Sequence, residues 1–384
     1  MPEMTPEERV LAALSREEPD RVPLYDLLDH PAVYAHYAGQ ELTLENAADV
    51  VPLAISRCLD HTRIWLPGAP GRRTDERGFV FERVDWWNEW QVEVPFHDLA
   101  GAQAFVQADI ERLEAALAAG PERGSVAMGS GLPGTEDTAD IGELLRWKDR
   151  YRGTVIPAST AGEALADAWI ALGMDWFVYL QAEEPGLVQR WIDAQHRRTL
   201  AALQSAQGLH RVSPVAWVFA DLALKGRLMF SLAYLHERGV FRRLADICDL
   251  YHSHGLKVIF HSDGYIQPMI PDLIAAGVDA LAPVEVGAGL DLAQLKAEFG
   301  ARVAFVGGLD VETVLRRGSV DDVRRATLQA LAAAAPGGGL ILGSSSEELF
   351  DTLPAENIIA MWETVRECGR YPIGQHFPRE FAWK

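Results

Sequence analysis

The chain has 384 residues, a hydrophobic fraction of 48% and a formal net charge of −20 at neutral pH. This is enough apolar material for a large core, and it argues against disorder. Nucleic acids and anionic membranes need a basic surface, so both are excluded as expected partners. The N-terminus does not resemble a signal peptide, no apolar run is long enough for a membrane helix, and the three scattered cysteines suit a reducing compartment. We therefore expect a soluble cytoplasmic protein.

The first predicted element is a helix that begins after Thr5. Thr5 is its expected cap, Pro6 suits the first helical position, and Glu8 completes a capping box. The helix should end before Pro19. Residues 60–95 are rich in Gly, Pro, Arg and Trp, and we interpret them as a long irregular insertion or a lid over one end of the fold.

Short apolar runs then alternate with helical segments. The runs are SVAMGS (125–130), TVIPAS (154–159), PVAWVFAD (214–221), LKVIFHSD (256–263), VDALAPVE (278–285), RVAFVGGLD (302–310) and GLILGSSS (339–346). Strands that are apolar throughout, each followed by a helix, are typical of a parallel sheet covered on both faces. With one more strand in the first third, they predict a single (β/α)₈ TIM-barrel domain over residues 1–384, with the N-terminal helix as an extension. An open doubly wound sheet is the alternative.

Polar residues end several of these runs, where the active site of a barrel lies. They are Asp221, the turn His261-Ser262-Asp263-Gly264, Glu285, Asp310, and the segment Ser344 to Glu348. An acid at a strand end can also simply cap the next helix, and Asp310 before VETVLRR is the clearest example. Glu285 can equally be solvated in a loop.

Two kinds of chemistry suit these groups. His261, Asp263 and Glu347 together are an acceptable ligand set for zinc or a harder divalent ion. The same groups could instead act as general acid and base on a carbonyl, carboxylate or ether substrate. The predicted catalytic residues are His261, Asp263, Asp221 and Glu347, and the predicted substrate-binding residues are Asp310, Ser345, Tyr25 and Trp65.

Four segments carry a family resemblance. The opening TPEERVLAALSREEPDRVP, the stretch FHSDGYIQPMIPDLIAAGVDALAPVE, the motif VGGLD and the late segment LPAENIIAMWETVRECGRYP resemble the uroporphyrinogen decarboxylase superfamily in order and spacing. The resemblance extends from about residue 5 to residue 373. It implies one (β/α)₈ barrel with its site at the carboxyl ends of the strands.

The resemblance also separates two branches of the superfamily. The decarboxylases carry an arginine-rich motif after the opening VP, whereas this chain has LYDLLDHPAVYAHYAG with Asp26 and Asp29. They also have a histidine where this chain has Glu347. Acids in place of cationic clamps would repel a polycarboxylate substrate. Arg57, Arg63, Arg72, Arg73 and Arg77 are the nearby arginines that could compensate.

The other branch consists of methyltransferases that use a corrinoid protein. Its thiol-directed members bind zinc through His-x-Cys and a distant Cys; His261 matches the histidine, while Asp263 and Glu347 fall at or near the cysteines. Hard oxygen donors in those places favour methyl transfer from an ether or amine over a zinc–thiolate enzyme.

We therefore expect a methyltransferase or demethylase that acts on a small methylated substrate with the help of a metal. The chain lacks the cobalamin-ligating Asp-x-His-x-x-Gly motif, so the corrinoid would be carried by a partner protein. A cofactor-independent decarboxylase of uroporphyrinogen or another polycarboxylate is the first alternative. A non-catalytic binding barrel is the second, and a homodimer is the default oligomer.

Overall fold

Helices and strands alternate along most of the chain. The computed structural model describes residues 3–120, 125–127, 138–346 and 348–379. Within these ranges the helices are α1 Pro6–Leu14, α2 Pro31–Ala38, α3 Ala47–Cys58, α4 Leu99–Ala119, α5 Ile141–Arg150, α6 Ala164–Leu172, α7 Met174–Glu183, α8 Pro185–Ser205, α9 Leu232–Glu237, α10 Val240–Ser253, α11 Ile270–Ala275, α12 Leu292–Phe299, α13 Val320–Ala334 and α14 Ala355–Cys368.

The strands fall into one large sheet and several small ones. They are β1 Leu27–Asp29, β2 Gly71–Thr74, β3 Val80–Arg83, β4 Glu89–Glu93, β5 Ser125–Ala127, β6 Thr138–Asp140, β7 Ser159–Gly162, β8 Val215–Phe219, β9 Ala223–Leu224, β10 Arg227–Leu228, β11 Lys257–His261, β12 Ala280–Val284, β13 Ala304–Leu309, β14 Leu340–Ser344 and β15 Glu348–Phe350. The large sheet has six parallel strands in the order β14–β13–β12–β11–β8–β7.

The parallel sheet has apolar side chains on both faces. One face packs with the surrounding helices in the main core, to which Val218, Phe260 and Phe305 belong. The other face, which we call the inner face, carries a second apolar cluster that includes Trp217 and Ile259. Since neighbouring residues of a strand point to opposite faces, an apolar strand that is covered on both sides shows no alternation in its sequence.

Isolated parallel bridges continue the pairing beyond this sheet. Leu24 pairs with Leu342 of the edge strand β14, Tyr25 pairs with His61, and His61 pairs with Val155. Val155 lies four residues before β7, the strand at the opposite edge of the sheet. The end of helix α1 packs into the cluster of the inner face through its apolar residues Val10, Ala13 and Leu14.

Several predicted elements are confirmed. The Oγ1 of Thr5 accepts a hydrogen bond from the backbone N–H of Glu8, and α1 carries the expected capping box and ends before Pro19. The apolar runs from residue 214 onward form β8, β11, β12, β13 and β14. The run at 154–159 forms a strand only from Ser159 onward. Pro157 lacks the N–H that a strand interior needs, which explains the later start.

Two predictions are wrong. The described part of the run at 125–130 is β5, which pairs antiparallel with β6 and lies outside the parallel sheet. The segment 60–95 is also not irregular throughout, because β2, β3 and β4 form a three-stranded antiparallel sheet. A tight turn joins the first two of these strands: the Asp75 carboxylate accepts the backbone N–H groups of Arg77 and Phe79. Because Gly and Arg lie within these strands, the composition of the segment did not indicate a hairpin.

One buried carboxylate links the start of the chain to its end. Asp26 is fully buried and accepts hydrogen bonds from the backbone N–H of Ser344 (2.7 Å) and the indole N–H of Trp362 (2.8 Å). Nearby, Gly343 lies so close to the carbonyl oxygen of Tyr25 that a Cβ there would be 1.9 Å from it. The segment before β1 is therefore held tightly against β14 and α14.

Two further sequence expectations concern cysteines and membrane helices. Cys58, Cys248 and Cys368 are all free and buried, and thus form no disulfide framework. Among the described helices, none combines the length and the apolar character that crossing a membrane requires.

We predict that Asp26→Ala lowers the free energy of unfolding by about 2–4 kcal/mol, because it leaves the buried N–H groups of Ser344 and Trp362 without an acceptor. Denaturant unfolding measures this loss. The control is Asp49→Ala, which removes an exposed carboxylate bonded to Arg150 and should change stability by less than about 0.5 kcal/mol. Equal losses in both variants would contradict the anchoring role of Asp26.

Candidate functional site

The two-residue period of the strands decides which polar side chains lie on the inner face. Trp217 and Phe219 of β8 belong to the inner-face cluster, and Asp221 follows at the same spacing. In the neighbouring β11, Ile259 belongs to that cluster, and His261 and Asp263 continue the spacing. Because parallel strands end at the same edge of a sheet, these three polar residues meet beyond the carboxyl ends of β8 and β11.

Asp221, His261 and Asp263 form a compact group, which we call the His–Asp cluster. Each offers one ligand atom, and these atoms all lie within 4.8 Å of one another. The Nε2 of His261 is 3.4 Å from the Oδ1 of Asp221, which also accepts the backbone N–H of Asp263 at 3.3 Å. The His261 side chain is largely buried, Asp221 is partly exposed, and Asp263 is exposed. The cluster is thus open to solvent on the side of Asp263.

Local charges keep Asp221 ionised. Burial raises the pKa of its carboxyl, but the hydrogen bond to His261, the charge of His261, the backbone N–H of Asp263 and the charge of Arg63 act in the opposite direction. The result is a pKa below the ordinary value of an aspartate. Asp221 is therefore a carboxylate at neutral pH, as a metal ligand or a hydrogen-bond acceptor has to be.

Hydrogen bonds from neighbouring strands hold the turn that carries His261 and Asp263. The Ser262 hydroxyl accepts the backbone N–H of Leu222 (3.1 Å) and donates to the carbonyl of Asp263 (3.1 Å). The Glu285 carboxylate, at the end of β12, accepts the backbone N–H of Gly264 (2.7 Å). Glu285 therefore supports the turn, and is not merely solvated in a loop.

An aromatic surface lies beneath the cluster. The ring of Phe219 is 5.2 Å from that of His261 and stacks on Trp217 at 5.7 Å. The guanidinium of Arg63 lies 5.0 Å above the ring of Phe219 and 5.8 Å from that of Trp217. Apolar rings on one side lower the local polarity, which strengthens the interactions of the charges around them.

A second carboxyl group lies at the end of the first strand. Asp29 is the last residue of β1, only 2% of its surface is exposed, and it follows Tyr25 of the inner-face cluster by four residues. Burial, together with the negative charges of Glu348 and Asp85, raises the pKa of Asp29 to about 8, although the Trp65 indole and the Arg63 guanidinium act to lower it. Asp29 is therefore mainly protonated at neutral pH.

The predicted site residues lie in different places. His261, Asp263 and Asp221 come together. Tyr25 is buried inside the fold, where its ring is 4.9 Å from that of His61 and 5.0 Å from that of Trp217. Trp65 is partly buried and adjoins Asp29.

The other predicted residues are at strands β13 and β14. Asp310 caps the turn after β13 by accepting the backbone N–H of Thr313 at 2.6 Å. This is the capping role that the sequence indicated as the alternative to a site role. Ser345 is buried, and its backbone N–H bonds to the carbonyl of Leu309. Glu347 lies outside the described residues, so its catalytic and metal-binding roles stay predictions.

Sequence reasoning did not select Asp29, Arg63 or Phe219 as site residues. Asp29 was noted only as a departure from an arginine motif, and Phe219 only as part of a strand. The two-residue period of a strand could have assigned both to the inner face, because Asp29 lies two periods after Tyr25 and Phe219 lies one period before Asp221. Arg63 lies in a segment without strand periodicity, and it was named only among the arginines that could compensate for the missing motif.

The donor set of the His–Asp cluster fits a divalent metal ion. It combines one imidazole nitrogen with two carboxylate oxygens, which suits zinc or a harder ion. Neighbouring ligand atoms on such an ion are about 3–3.5 Å apart. The Nε2 of His261 and the Oδ1 of Asp221 are 3.4 Å apart, and all three ligand atoms lie within 4.8 Å of one another. The chemistry of the residues present therefore allows metal binding here.

We predict that Gly264→Ala disrupts the turn of the cluster. Gly264 has a φ of +90°, and a Cβ there would lie 2.6 Å from the carbonyl carbon of Ala223. The variant should lose about 2–4 kcal/mol of stability in denaturant unfolding. Gly226→Ala is the matched control, since Gly226 has a φ of +74° and open space around it, and it should lose only about 1–2 kcal/mol. Equal losses would show that the close approach to Ala223 contributes nothing.

Comparisons with known proteins agree with this architecture. Residues 234–368, which include β11, β12, β13 and β14, match the family model described as uroporphyrinogen decarboxylase (URO-D). The structure is similar to that of a methyltransferase from Methanosarcina mazei, with a TM-score of 0.64 and 17% identity over 95% of this chain and 99% of the other. At this identity the likeness concerns the fold alone, and none of the curated proteins compared with the chain matches it. The resemblance predicted from the sequence is confirmed, because residues 234–368 match the family model of the uroporphyrinogen decarboxylase (URO-D) superfamily.

Proposed function

We propose that this protein is an enzyme that transfers a methyl group from the oxygen or nitrogen of a small methylated substrate to a corrinoid carried by a separate protein. The observation that carries the proposal is the His–Asp cluster, in which an imidazole and two carboxylates converge at the carboxyl ends of parallel strands. The similarity in fold to a methyltransferase supports it.

The proposed enzyme has one catalytic domain over residues 1–384, built as a closed (β/α)₈ barrel. Two observations support closure of the sheet. The bridges at Leu24, Tyr25, His61 and Val155 continue the pairing from β14 toward β7. The inner-face cluster collects Tyr25 and Val155 of the bridged segments together with residues of β8, β11, β12, β13 and β14, as the packed interior of a barrel does.

The proposed ligands of a divalent ion are Asp221, His261 and Asp263, with Glu347 as a fourth. A bound ion would supply Lewis acidity to the atom that carries the methyl group. The chain's own residues hold the proposed ligands in position. Ser262 and Glu285 hold the turn through the hydrogen bonds described above, and Phe219 limits how the His261 ring can rotate. Asp310, Ser345, Tyr25 and Trp65 remain the proposed substrate-binding residues.

Decarboxylation of a polycarboxylate is the second candidate, and the match of residues 234–368 to the URO-D model favours it. It requires arginines that face the site. Of the five arginines named from the sequence, four bond elsewhere: Arg57 to the carbonyl of Tyr37, Arg72 to Glu82, Arg73 to Glu89, and Arg77 near Asp75. Arg63 approaches the site acids. One cation among several acids is a weak clamp for a polycarboxylate, so methyl transfer is the better supported proposal.

We predict that purified wild-type protein retains about one divalent ion per chain, and that Asp221→Asn loses most of it, because an amide is a poorer ligand than a carboxylate. Elemental analysis measures both. Asp291→Asn is the control, since Asp291 only caps helix α12, and it should retain the ion. Glu347→Ala tests the fourth ligand in the same way. A wild type without metal after metal-supplemented purification would overturn the metal-assisted form of the proposal.

We expect the wild type to methylate a reduced corrinoid from at least one class among methyl ethers and methylated amines. The spectral change of the corrinoid measures this transfer. Asp221→Asn should reduce the rate by about 10²-fold or more, as the loss of a group that acts on the leaving atom does. Release of CO₂ from a carboxylated substrate without methyl transfer would favour the decarboxylase, and activity in neither assay would favour a binding barrel.

A further inference from the structure

Asp29 is a buried carboxyl group that the proposed site does not yet use. It lies at the carboxyl end of β1, and the segment that leads into β1 runs parallel to β14 at the Leu24–Leu342 bridge, so Asp29 is at the same end of the parallel strands as the His–Asp cluster. It lies four residues, or two strand periods, after Tyr25, which assigns it to the inner face. Within the described residues, neither of its carboxyl oxygens has a hydrogen-bond partner of good geometry, which is uncommon for a group that is 2% exposed.

The surroundings of Asp29 keep a proton on it. Negative charges approach from Glu348 on β15 and from Asp85 in the turn between β3 and β4, while the guanidinium of Arg63 and the indole of Trp65 partly oppose them. On helix α2, the hydroxyl of Tyr34 bonds to the carbonyl of Leu28, and a charge on Asp29 would raise the pKa of this hydroxyl. An ionised Asp29 would be a buried anion beside two others, so the neutral acid is the favoured form.

Arg63 connects Asp29 with the His–Asp cluster. Its charge acts on Asp29 and also on Asp221, and its guanidinium lies over the rings of Trp217 and Phe219 beneath the cluster. The two carboxyls therefore border one common region of the inner face. They differ in protonation, since Asp221 has a lowered pKa and Asp29 a raised one. Pairs of this kind are typical of sites that need an acid and a base together.

The proposed metal site creates a need for such an acid. When two carboxylates ligate an ion they are deprotonated, so Asp221 and Asp263 would have no proton to donate. The atom that loses the methyl group nevertheless gains an electron pair and needs a proton to leave as a neutral alcohol or amine. Asp29 is a described group at the same end of the strands as the cluster, and its buried surroundings keep a proton on it at neutral pH.

We propose that Asp29 is the general acid of the reaction and donates its proton to the oxygen or nitrogen from which the methyl group departs. This inference rests on the proposed methyl transfer. The bond between the methyl carbon and the leaving atom breaks, and its electron pair stays on that atom. The proton of Asp29 joins the same atom, the methyl carbon bonds to the methyl-accepting nucleophile, and Asp29 is left as a carboxylate that solvent reprotonates.

The first test measures the proton directly and needs no substrate. In protein labelled with ¹³C at the aspartate carboxyl, the resonance that Asp29→Asn removes should titrate near pH 8, about four units above an ordinary aspartate. The resonance of an exposed aspartate such as Asp49 is the internal control and should titrate near pH 4. Titration of Asp29 near pH 4 would overturn its role even if methyl transfer is intact.

The second test follows turnover against pH. The acid is active only while protonated, so kcat of the wild type should be constant below pH 8 and fall above it. Asp29→Asn should lower kcat by about 10²-fold, remove this alkaline limb and leave KM nearly unchanged. Asp29→Glu, which keeps a carboxylic acid, should recover part of the rate. An Asp29→Asn variant with wild-type kcat and an unchanged alkaline limb would show that Asp29 is only structural.

The two tests separate the two proposals. No methyl transfer by the wild type would overturn the proposed function, and with it the donor role, even if Asp29 titrates near pH 8. Methyl transfer that proceeds normally in Asp29→Asn would overturn the donor role alone. Methyl transfer that depends on a group of pKa near 8, lost in Asp29→Asn, supports both.

Discussion

Burial of both faces of the parallel sheet is the constraint on which the site depends. Each strand has to fill one apolar layer against the helices and another on the inner face, and alternate residues serve the two layers. The inner-face positions stay apolar for as long as a strand is enclosed, as Trp217 and Ile259 do. Where the strand ends, the same positions become polar, and the next residues are Asp221 and His261. The site thus lies where the inner-face positions of the strands leave the core and reach solvent.

Electrostatics then divides the carboxyl groups at this end of the strands into two kinds. Asp221 is half-exposed, touches His261 and is influenced by Arg63, and its pKa is lowered. Asp29 is buried among other acids, and its pKa is raised to about 8. The same side chain therefore supplies a ligand in one place and a proton in another, because its surroundings differ.

The supporting structure around the site is polar and specific. Asp26 holds β14 and α14 against the segment before β1 through two buried hydrogen bonds, while Ser262 and Glu285 hold the turn of the cluster. Gly264 and Gly343 allow backbones to approach closely where a Cβ would not fit. Without these contacts the strands would still pack, but the relative positions of Asp221, His261 and Asp263 would not be defined.

The sequence by itself determined the parallel α/β architecture, the first helix, five of the six strands of the large sheet and the turn that carries His261 and Asp263. These follow from local patterns, namely apolar runs, caps and glycines, which act within a few residues. It did not determine the hairpins at 71–93 or the antiparallel β5. Antiparallel pairing depends on contacts between side chains of different strands, and these contacts cannot be read from composition. Only the tertiary structure decided that Asp221 joins His261 and that Asp29 is buried beside Glu348 and Asp85. Those neighbours are far apart in the chain, and the distances between charged groups and their exposure to water, which set each pKa, exist only once the chain has folded.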